Sequence, residues 1–232
     1  MLILLPNLLA ESADPSFYLP PAIEKIMASI DGLIAESEGG ARKFLRRYKT
    51  KKKVHEMPVA LLNEHGQDLD FLLEPLRKGE TWGVLSDAGL PCLADPGAQL
   101  ITRARHYAIK IMAIPGPSSI TLALMQSGLS GQCFSFRGYI AKEQKKRVTE
   151  LLHWQQLSLQ EKSTQIFIEA PYRNKHTYLD CLRYLHPKTL LCVASNMTAQ
   201  DELFVCLSIA QHDPELAEKI AKKPTIFLFQ SR

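Results

Sequence analysis

Short apolar runs alternate with longer amphipathic stretches through the first half of the chain. Leu2 to Leu5 reads as a buried strand, and Pro21 to Ile30 as a helix with proline in its first turn, where no N–H is needed. Gly32 to Ala35 reads as a second strand and Ala41 to Tyr48 as a short basic helix. Asp68 to Lys78 sets Leu69, Leu72, Leu73 and Leu76 at helical spacing. Trp82 to Ser86 is strand-like, Ala98 to His106 helical, and Ile109 to Ile114 strand-like again. Such alternation predicts a parallel sheet with crossover helices.

The second half has a different texture. Ser118 to Ser127 and Lys142 to Leu157 read as helices. Strands are predicted over Cys133 to Tyr139, Gln165 to Glu169, Leu190 to Ala194, Leu203 to Leu207 and Thr225 to Phe229. Only Ser195 to Glu202 separates two of these, too short for a helical crossover, so the two are expected to pair antiparallel. The predicted architecture is α/β in two domains: 1–114 with a mainly parallel sheet, and 115–232 with a mixed one. The joint falls at Pro115-Gly-Pro117, which stops a strand and starts a helix.

Composition narrows the class. With 46% hydrophobic and 22% charged residues among 232, the chain is neither disordered, collagen-like nor coiled coil, and its apolar runs are too short to span a membrane. The apolar start, Met1 to Ala10, lacks a positive leading segment and is interrupted by Pro6-Asn7; it reads as a first strand rather than a cleaved signal. The cysteines, Cys92, Cys133, Cys181, Cys192 and Cys206, are widely spaced, with no C-x-x-C. This argues against a disulfide framework or zinc site and for a reducing cytoplasm. His55, His65, His106, His153, His176, His186 and His212 show no metal-ligand spacing, so no metal is expected.

Three loops could carry chemistry. Ser86-Asp-Ala-Gly-Leu-Pro-Cys-Leu-Ala-Asp-Pro-Gly97 follows a strand, where open α/β sheets place ligands; its small residues admit a ligand to the backbone, and Asp87 offers a polar anchor. It reads equally as a plain loop with Asp95 as a turn or cap residue. Ile114-Pro-Gly-Pro-Ser-Ser119 runs into a helix N-terminus, whose free N–H groups suit a ligand or simply a helix start. In Ile168-Glu-Ala-Pro-Tyr-Arg173, Glu169 and Arg173 either face a substrate or form a surface ion pair. The Rossmann glycine fingerprint, the P-loop, G-x-S-x-G and H-E-x-x-H are all absent.

The net charge is only +4, but its distribution is uneven. Arg42, Lys43, Arg46, Arg47, Lys49, Lys51, Lys52 and Lys53 form a run without an intervening acid, and Lys142, Lys145, Lys146 and Arg147 form a smaller cluster. Such a run reads as an anion-binding surface suited to nucleic-acid phosphates, against the blander reading of a solvated face.

Taken together and in order, the loops resemble the tetrapyrrole methylase superfamily of S-adenosylmethionine-dependent enzymes, and within it the small-subunit rRNA ribose 2′-O-methyltransferases. The family's S-D-A-G-T-P and D-P-G are similar to Ser86-Asp-Ala-Gly-Leu-Pro91 and Asp95-Pro-Gly97. Its P-G-P-S and S-G-L match Pro115-Gly-Pro-Ser118 and Ser127-Gly-Leu129, and its phenylalanine-rich strand matches Phe134 to Tyr139. F-Y-E-S-P-H-R is similar to Phe167-Ile-Glu-Ala-Pro-Tyr-Arg173. The N-terminal third departs. P-T-P-I-G-N-L is reduced to Leu5-Pro-Asn-Leu-Leu9, A-E-D-T-R to Ile34-Ala-Glu-Ser-Glu-Gly-Gly-Ala-Arg42, and R-E-L-T-K is replaced by Ser195-Asn-Met-Thr-Ala199.

The resemblance implies two α/β domains with S-adenosylmethionine in the cleft between them, and a homodimer. It assigns the cofactor to Leu5, Pro6, Asp87, Ala88, Gly89, Leu90, Pro115, Gly116, Ser118, Ser119, Ala170, Met197 and Thr225. It implies ribosomal RNA, or the small ribosomal subunit, as partner; the basic run, through Arg42, Lys43, Arg46, Arg47, Lys51 and Lys52, is expected to meet its phosphates. A ribose hydroxyl needs help losing its proton, and Glu36, Glu38 and Glu169 are the candidate bases, with no choice among them. A small-molecule methyltransferase and a non-catalytic module binding cofactor or RNA are the alternatives.

Overall fold

The computed structural model describes residues 1–62 and 68–232; His65, one of the scattered histidines, lies outside them. The chain forms two compact units, Met1–Ser118 and Ser119–Arg232.

The first unit runs β1 (Leu2–Leu5), α1 (Pro15–Tyr18), α2 (Ala22–Met27), β2 (Gly32–Ala35), α3 (Glu38–Leu45), β3 (Val59–Leu61), α4 (Leu69–Arg77), β4 (Trp82–Leu85), α5 (Ala98–His106) and β5 (Ile111–Ala113). Its five strands lie in the order β3-β2-β4-β1-β5 and every pairing is parallel. From β1 to β2 to β3 the chain moves one way across the sheet; from β3 to β4 to β5 it moves back. Right-handed crossovers in opposite directions lay their helices on opposite faces. The two cores show this. Ile3, Leu5, Leu33, Ala35 and Leu85 pack with Ile23 and Met27 of α2 and with Phe44 and Leu45 of α3. Their alternates, Leu2, Ile34, Trp82 and Val84, pack with Leu72, Leu73 and Leu76 of α4 and with Leu100 and Ala104 of α5. Both faces of the central strands are therefore covered, which is why they read as unbroken apolar runs. Gly83 has no room for a side chain: a Cβ there would meet Leu5 and Leu33.

The second unit holds α6 (Ser119–Ser127), β6 (Phe134–Tyr139), α7 (Gln144–Glu161), β7 (Thr164–Glu169), α8 (Asn174–Tyr184), β8 (Leu190–Ser195), β9 (Leu203–Ser208), α9 (Leu216–Lys219) and β10 (Thr225–Gln230). Its sheet has the order β6-β7-β10-β8-β9; only β6 and β7 are parallel. The run expected to pair antiparallel across Ser195 to Glu202 does so, as β8 and β9. Phe167 stacks on Phe227 with centroids 5.2 Å apart, and Trp154, Tyr178, Leu191 and Val193 close that core under α7 and α8.

Three local departures from the expected elements have physical causes. The basic helix starts at Glu38 rather than Ala41, because the Ser37 hydroxyl caps it by accepting the Gly40 N–H at 3.0 Å. Arg147 is not part of a surface charge cluster: it is 4% exposed and bridges to Asp180. Nor do Glu169 and Arg173 form a surface pair, for the Glu169 side chain is fully buried.

Candidate functional site

The carboxyl ends of β1 and β4 are adjacent, because Leu5 pairs with Leu85. The loops that leave them are stitched together by Asn7. Its Nδ2 donates to the carbonyls of Ser86 at 3.0 Å and Asp87 at 2.9 Å, and its Oδ1 accepts the Leu8 N–H at 2.9 Å. Its own N–H donates to Gly89 O at 2.8 Å. Asn7 is 5% exposed and its side-chain hydrogen-bonding capacity is filled: Arg47 Nη1 donates to the same Oδ1 at 2.9 Å.

Asp87 is held from the other side. Ser37 Oγ donates to its Oδ1 at 2.7 Å, and its N–H donates to Glu36 Oε2 at 2.9 Å. A Cβ at Gly40 would collide with the Asp87 carboxylate, so the first turn of α3 approaches the β4 loop only because position 40 is glycine. Gly89 takes a φ of +70°, and Gly116 lies so close to Pro6 that any side chain there would displace it. Pro6, Asn7, Ser86, Gly89, Pro117 and Ser118 are buried, while Asp87, Ala88 and Pro115 are exposed and Leu5 lies wholly inside. A cavity of about 280 Å³ opens here, lined by Asn7, Ser37, Gly40, Lys43, Arg47 and Asp87 among others. A separate open depression of about 550 Å³ runs along α4, bordered by Asp68, Asp70 and Arg77.

Burial raises the Asp95 carboxyl to about 6, helped by the nearby Glu36 and Asp87 charges and opposed by a hydrogen bond from Ser86. The three carboxylates thus crowd one strand end.

The basic run is less free than its sequence suggests. Arg42 Nη1 donates to the carbonyls of Val54 at 2.5 Å and Met57 at 2.7 Å and its Nη2 to Glu38 at 3.3 Å, so it clamps the segment leading to β3. Lys43 pairs with Glu11, and Lys51 with Asp31 at 2.7 Å. Arg46, Lys49, Lys52 and Lys53 are exposed.

In the second unit, Glu169 accepts the Ala170 N–H at 2.7 Å, Arg173 Nε at 2.7 Å and Thr177 Oγ1 at 2.9 Å, which organises the turn after β7. Thr225 Oγ1 accepts Asn174 Nδ2 at 3.0 Å and donates to Ser195 Oγ, its partner across the sheet, at 2.9 Å. Met197 is buried, between Asn196 and Thr198, whose φ values of 54° and 68° are left-handed. Ser119 opens α6. Among the described residues, the Thr198 Oγ1 and Asn174 Oδ1 atoms are buried without a partner.

The comparisons with known proteins bear on this arrangement. The model of the tetrapyrrole (corrin/porphyrin) methylases matches residues 20–212. The chain belongs to the tetrapyrrole methylase family. Within reach of this family assignment, a Vibrio cholerae protein named ribosomal RNA small subunit methyltransferase I is 29% identical over 85% of this chain and 66% of its own length. A Synechocystis protein of the same name is 31% identical over 80% of this chain and 63% of its own. The chain thus spans somewhat under two thirds of the length of these relatives. A crystal structure of diphthine synthase, 13% identical, shares the methylase fold with a TM-score of 0.66, covering 99% of this chain and 89% of that one.

Two features of the loops bear on ligand binding, one in each unit. In the first unit, Gly89 and Gly116 sit where side chains are excluded, leaving backbone as the surface. In the second, the orphaned Thr198 hydroxyl beside Met197 is a buried polar atom that lacks a partner. Among the described residues no group of three or more His, Cys, Asp or Glu is placed to hold a metal ion, and no helix is long and apolar enough to cross a membrane.

Sequence reading passed over Asn7 and Ser37. The only signal for Asn7 was its place in the shortened Pro-Asn-Leu motif; for Ser37 it was a cap residue ahead of Glu38.

Proposed function

We propose that this chain is an S-adenosylmethionine-dependent methyltransferase acting on a ribose 2′-hydroxyl of small-subunit ribosomal RNA, in the cytoplasm and as a homodimer. The observation that supports it most is the Asn7 stitch, which fixes the β1 loop against the glycine-containing β4 loop at adjacent parallel strand ends beside a basic helix. When bound, the donor supplies an already activated methyl group.

The protein's task is to hold, orient and exclude water, worth about 7–11 kcal/mol in favourable systems. Backbone around Pro6, Asp87, Ala88, Gly89, Leu90, Pro115 and Gly116 holds the donor in this reading, and the resemblance adds Ser118, Ser119, Ala170, Met197 and Thr225. Arg46, Arg47 and Lys52 would meet RNA phosphates, with Arg42 keeping the segment beneath them in place. Of the carboxylates weighed as bases, Glu169 is engaged internally and Glu38 pairs with Arg42, whereas Glu36 stands next to Asp87 at the strand end. Glu36 is the base this reading favours.

The test is transfer of labelled methyl groups to unmodified small ribosomal subunits, with free tetrapyrroles as the competing acceptor. Nuclease digestion then locates the label. Label on a ribose supports the proposal. Label on a tetrapyrrole, or binding of the donor without transfer to either, overturns it. Light scattering decides the dimer: a particle of 26.1 kDa at micromolar concentration would refute it.

A further inference from the structure

Cys192 on β8 and Cys206 on β9 lie directly opposite each other in a ladder whose register is unbroken from Leu190–Ser208 to Ser195–Leu203. The ladder continues one step further, where Ile209 N donates to Thr189 O at 2.9 Å, which marks that facing pair as a hydrogen-bonded one. Antiparallel pairs alternate, so three steps along, Cys192 and Cys206 form a non-hydrogen-bonded pair. In such pairs the Cα atoms approach to about 4.5 Å and the side chains lean together. A disulfide needs Cα atoms roughly 4.4–6.8 Å apart. The backbone therefore holds the two cysteines at bridging separation with both thiols free.

The two thiols also differ in character. β9 is an edge strand, and Cys206 is partly exposed on it, whereas Cys192 is fully buried. The Cys192 S–H donates to the Cys206 sulfur, which lowers the Cys206 thiol and, with burial, raises that of Cys192. The accessible member is the one whose thiolate is favoured, as an attacking group requires.

We propose that Cys192 and Cys206 are a site of reversible oxidation by low-molecular-weight disulfides, closing a cross-strand bridge around the turn that carries Met197 and Thr198. Cys206 thiolate attacks one sulfur of the small disulfide; its S–S bond breaks and one thiolate leaves. Cys192 then loses its proton and attacks the Cys206 sulfur, forming the Cys192–Cys206 bond and expelling the second thiolate. Two cysteine thiols are oxidised, one small disulfide is reduced to two thiols, and the two cysteine protons pass to the departing thiolates. The bridge replaces the bond that Cys206 Sγ now donates to Ser127 O at 3.4 Å, at the end of α6.

The experiment uses the full chain carrying Cys133→Ser, which removes the exposed thiol. The protein is incubated with oxidised glutathione, quenched in acid, alkylated and analysed by peptide mass spectrometry. The expected result is a linked Cys192–Cys206 peptide, two fewer alkylatable thiols, and full reversal by dithiothreitol. In the Cys192→Ala variant, Cys206 should instead retain glutathione; in the reciprocal Cys206→Ala variant the buried Cys192 should stay unmodified, and circular dichroism reports whether each is folded. Stable glutathionylation of Cys206 in the parent would overturn the proposal, because the second step would have failed. So would unchanged thiols in the parent, since the first would have failed.

Discussion

Arg47 donates to the same Asn7 oxygen that accepts the Leu8 N–H, so one side-chain amide joins the basic segment, the β1 loop and the β4 loop. Nothing in the spacing of the sequence announces this: positions 7, 47 and 86 meet only because β1 and β4 are neighbours in the sheet.

Replacing Asn7 tests that junction. Asn7→Ala leaves the Ser86 and Asp87 carbonyls and the Arg47 guanidinium without their partner. Chemical denaturation should show a loss of about 1–3 kcal/mol, the cost of unsatisfied buried polar groups. Asn7→Asp keeps the acceptor for Arg47 and Leu8 but turns an oxygen toward two carbonyls, so it should be no better than alanine. Equal stability of all three proteins would mean that the loops hold themselves.

Gly116→Val addresses the donor. A side chain there displaces Pro6 and moves the β1 loop. Calorimetry should show donor affinity falling by about tenfold or more, equivalent to about 1.4 kcal/mol, with a chelator making no difference in either protein.

Arginines 42 and 46 should separate cleanly. Arg42→Gln should reduce stability by about 1–3 kcal/mol through the Val54 and Met57 carbonyls it would leave unbonded. The pair Arg46→Gln and Lys52→Gln should leave stability unchanged and weaken RNA binding. It should also flatten the salt dependence by about two phosphate contacts' worth, roughly 0.7–0.9 in slope for each. An unaltered slope would show that these side chains meet no phosphate.

Asp95 gives a pH signature. Its folded carboxyl titrates at about 6, above the ordinary value of 3.8, so the folded state holds this proton more tightly than the unfolded one. Its contribution is fully present below the ordinary value and is lost as pH rises between the two. The melting temperature of the parent relative to Asp95→Asn should therefore fall over that window. A difference that stays flat with pH would place Asp95 in water.

Arg147 and Asp180, both almost wholly buried, test the second unit. Arg147→Met strands the Asp180 charge and should cost about 3–5 kcal/mol in denaturant unfolding. The double change Arg147→Met with Asp180→Leu should recover much of it.

The strands β1, β2 and β4 were legible almost to the residue, because strands covered on both faces are plain apolar runs. The helix α8 was not. Its buried positions include Asn174, Thr177 and Asp180, polar groups that answer Thr225, Glu169 and Arg147 outside the helix, and they erase its apolar stripe. The edge strand β3 is three residues long, too short for periodicity to show. Loop positions were legible as motifs, but the grip on them was not. Asn7 and Ser37 act through partners reached only by folding, and Arg42 and Arg147 looked like surface charge until their carbonyl and carboxylate partners came into place.

The strand order also sets a schedule. β1 is made first, yet its only neighbours are β4 and β5, so Leu2 must wait for Trp82 and Ile111 before its backbone is paired. During synthesis the most apolar strand of the first unit stands without a mate while β2 and β3 emerge, and pairing over such separations is slow. A nascent chain arrested before β4 should be readily cleaved by protease within Leu2–Leu5, and one arrested after β5 has cleared the ribosome should resist. The oldest strand of the sheet is paired on both sides only when its newest, β5, arrives.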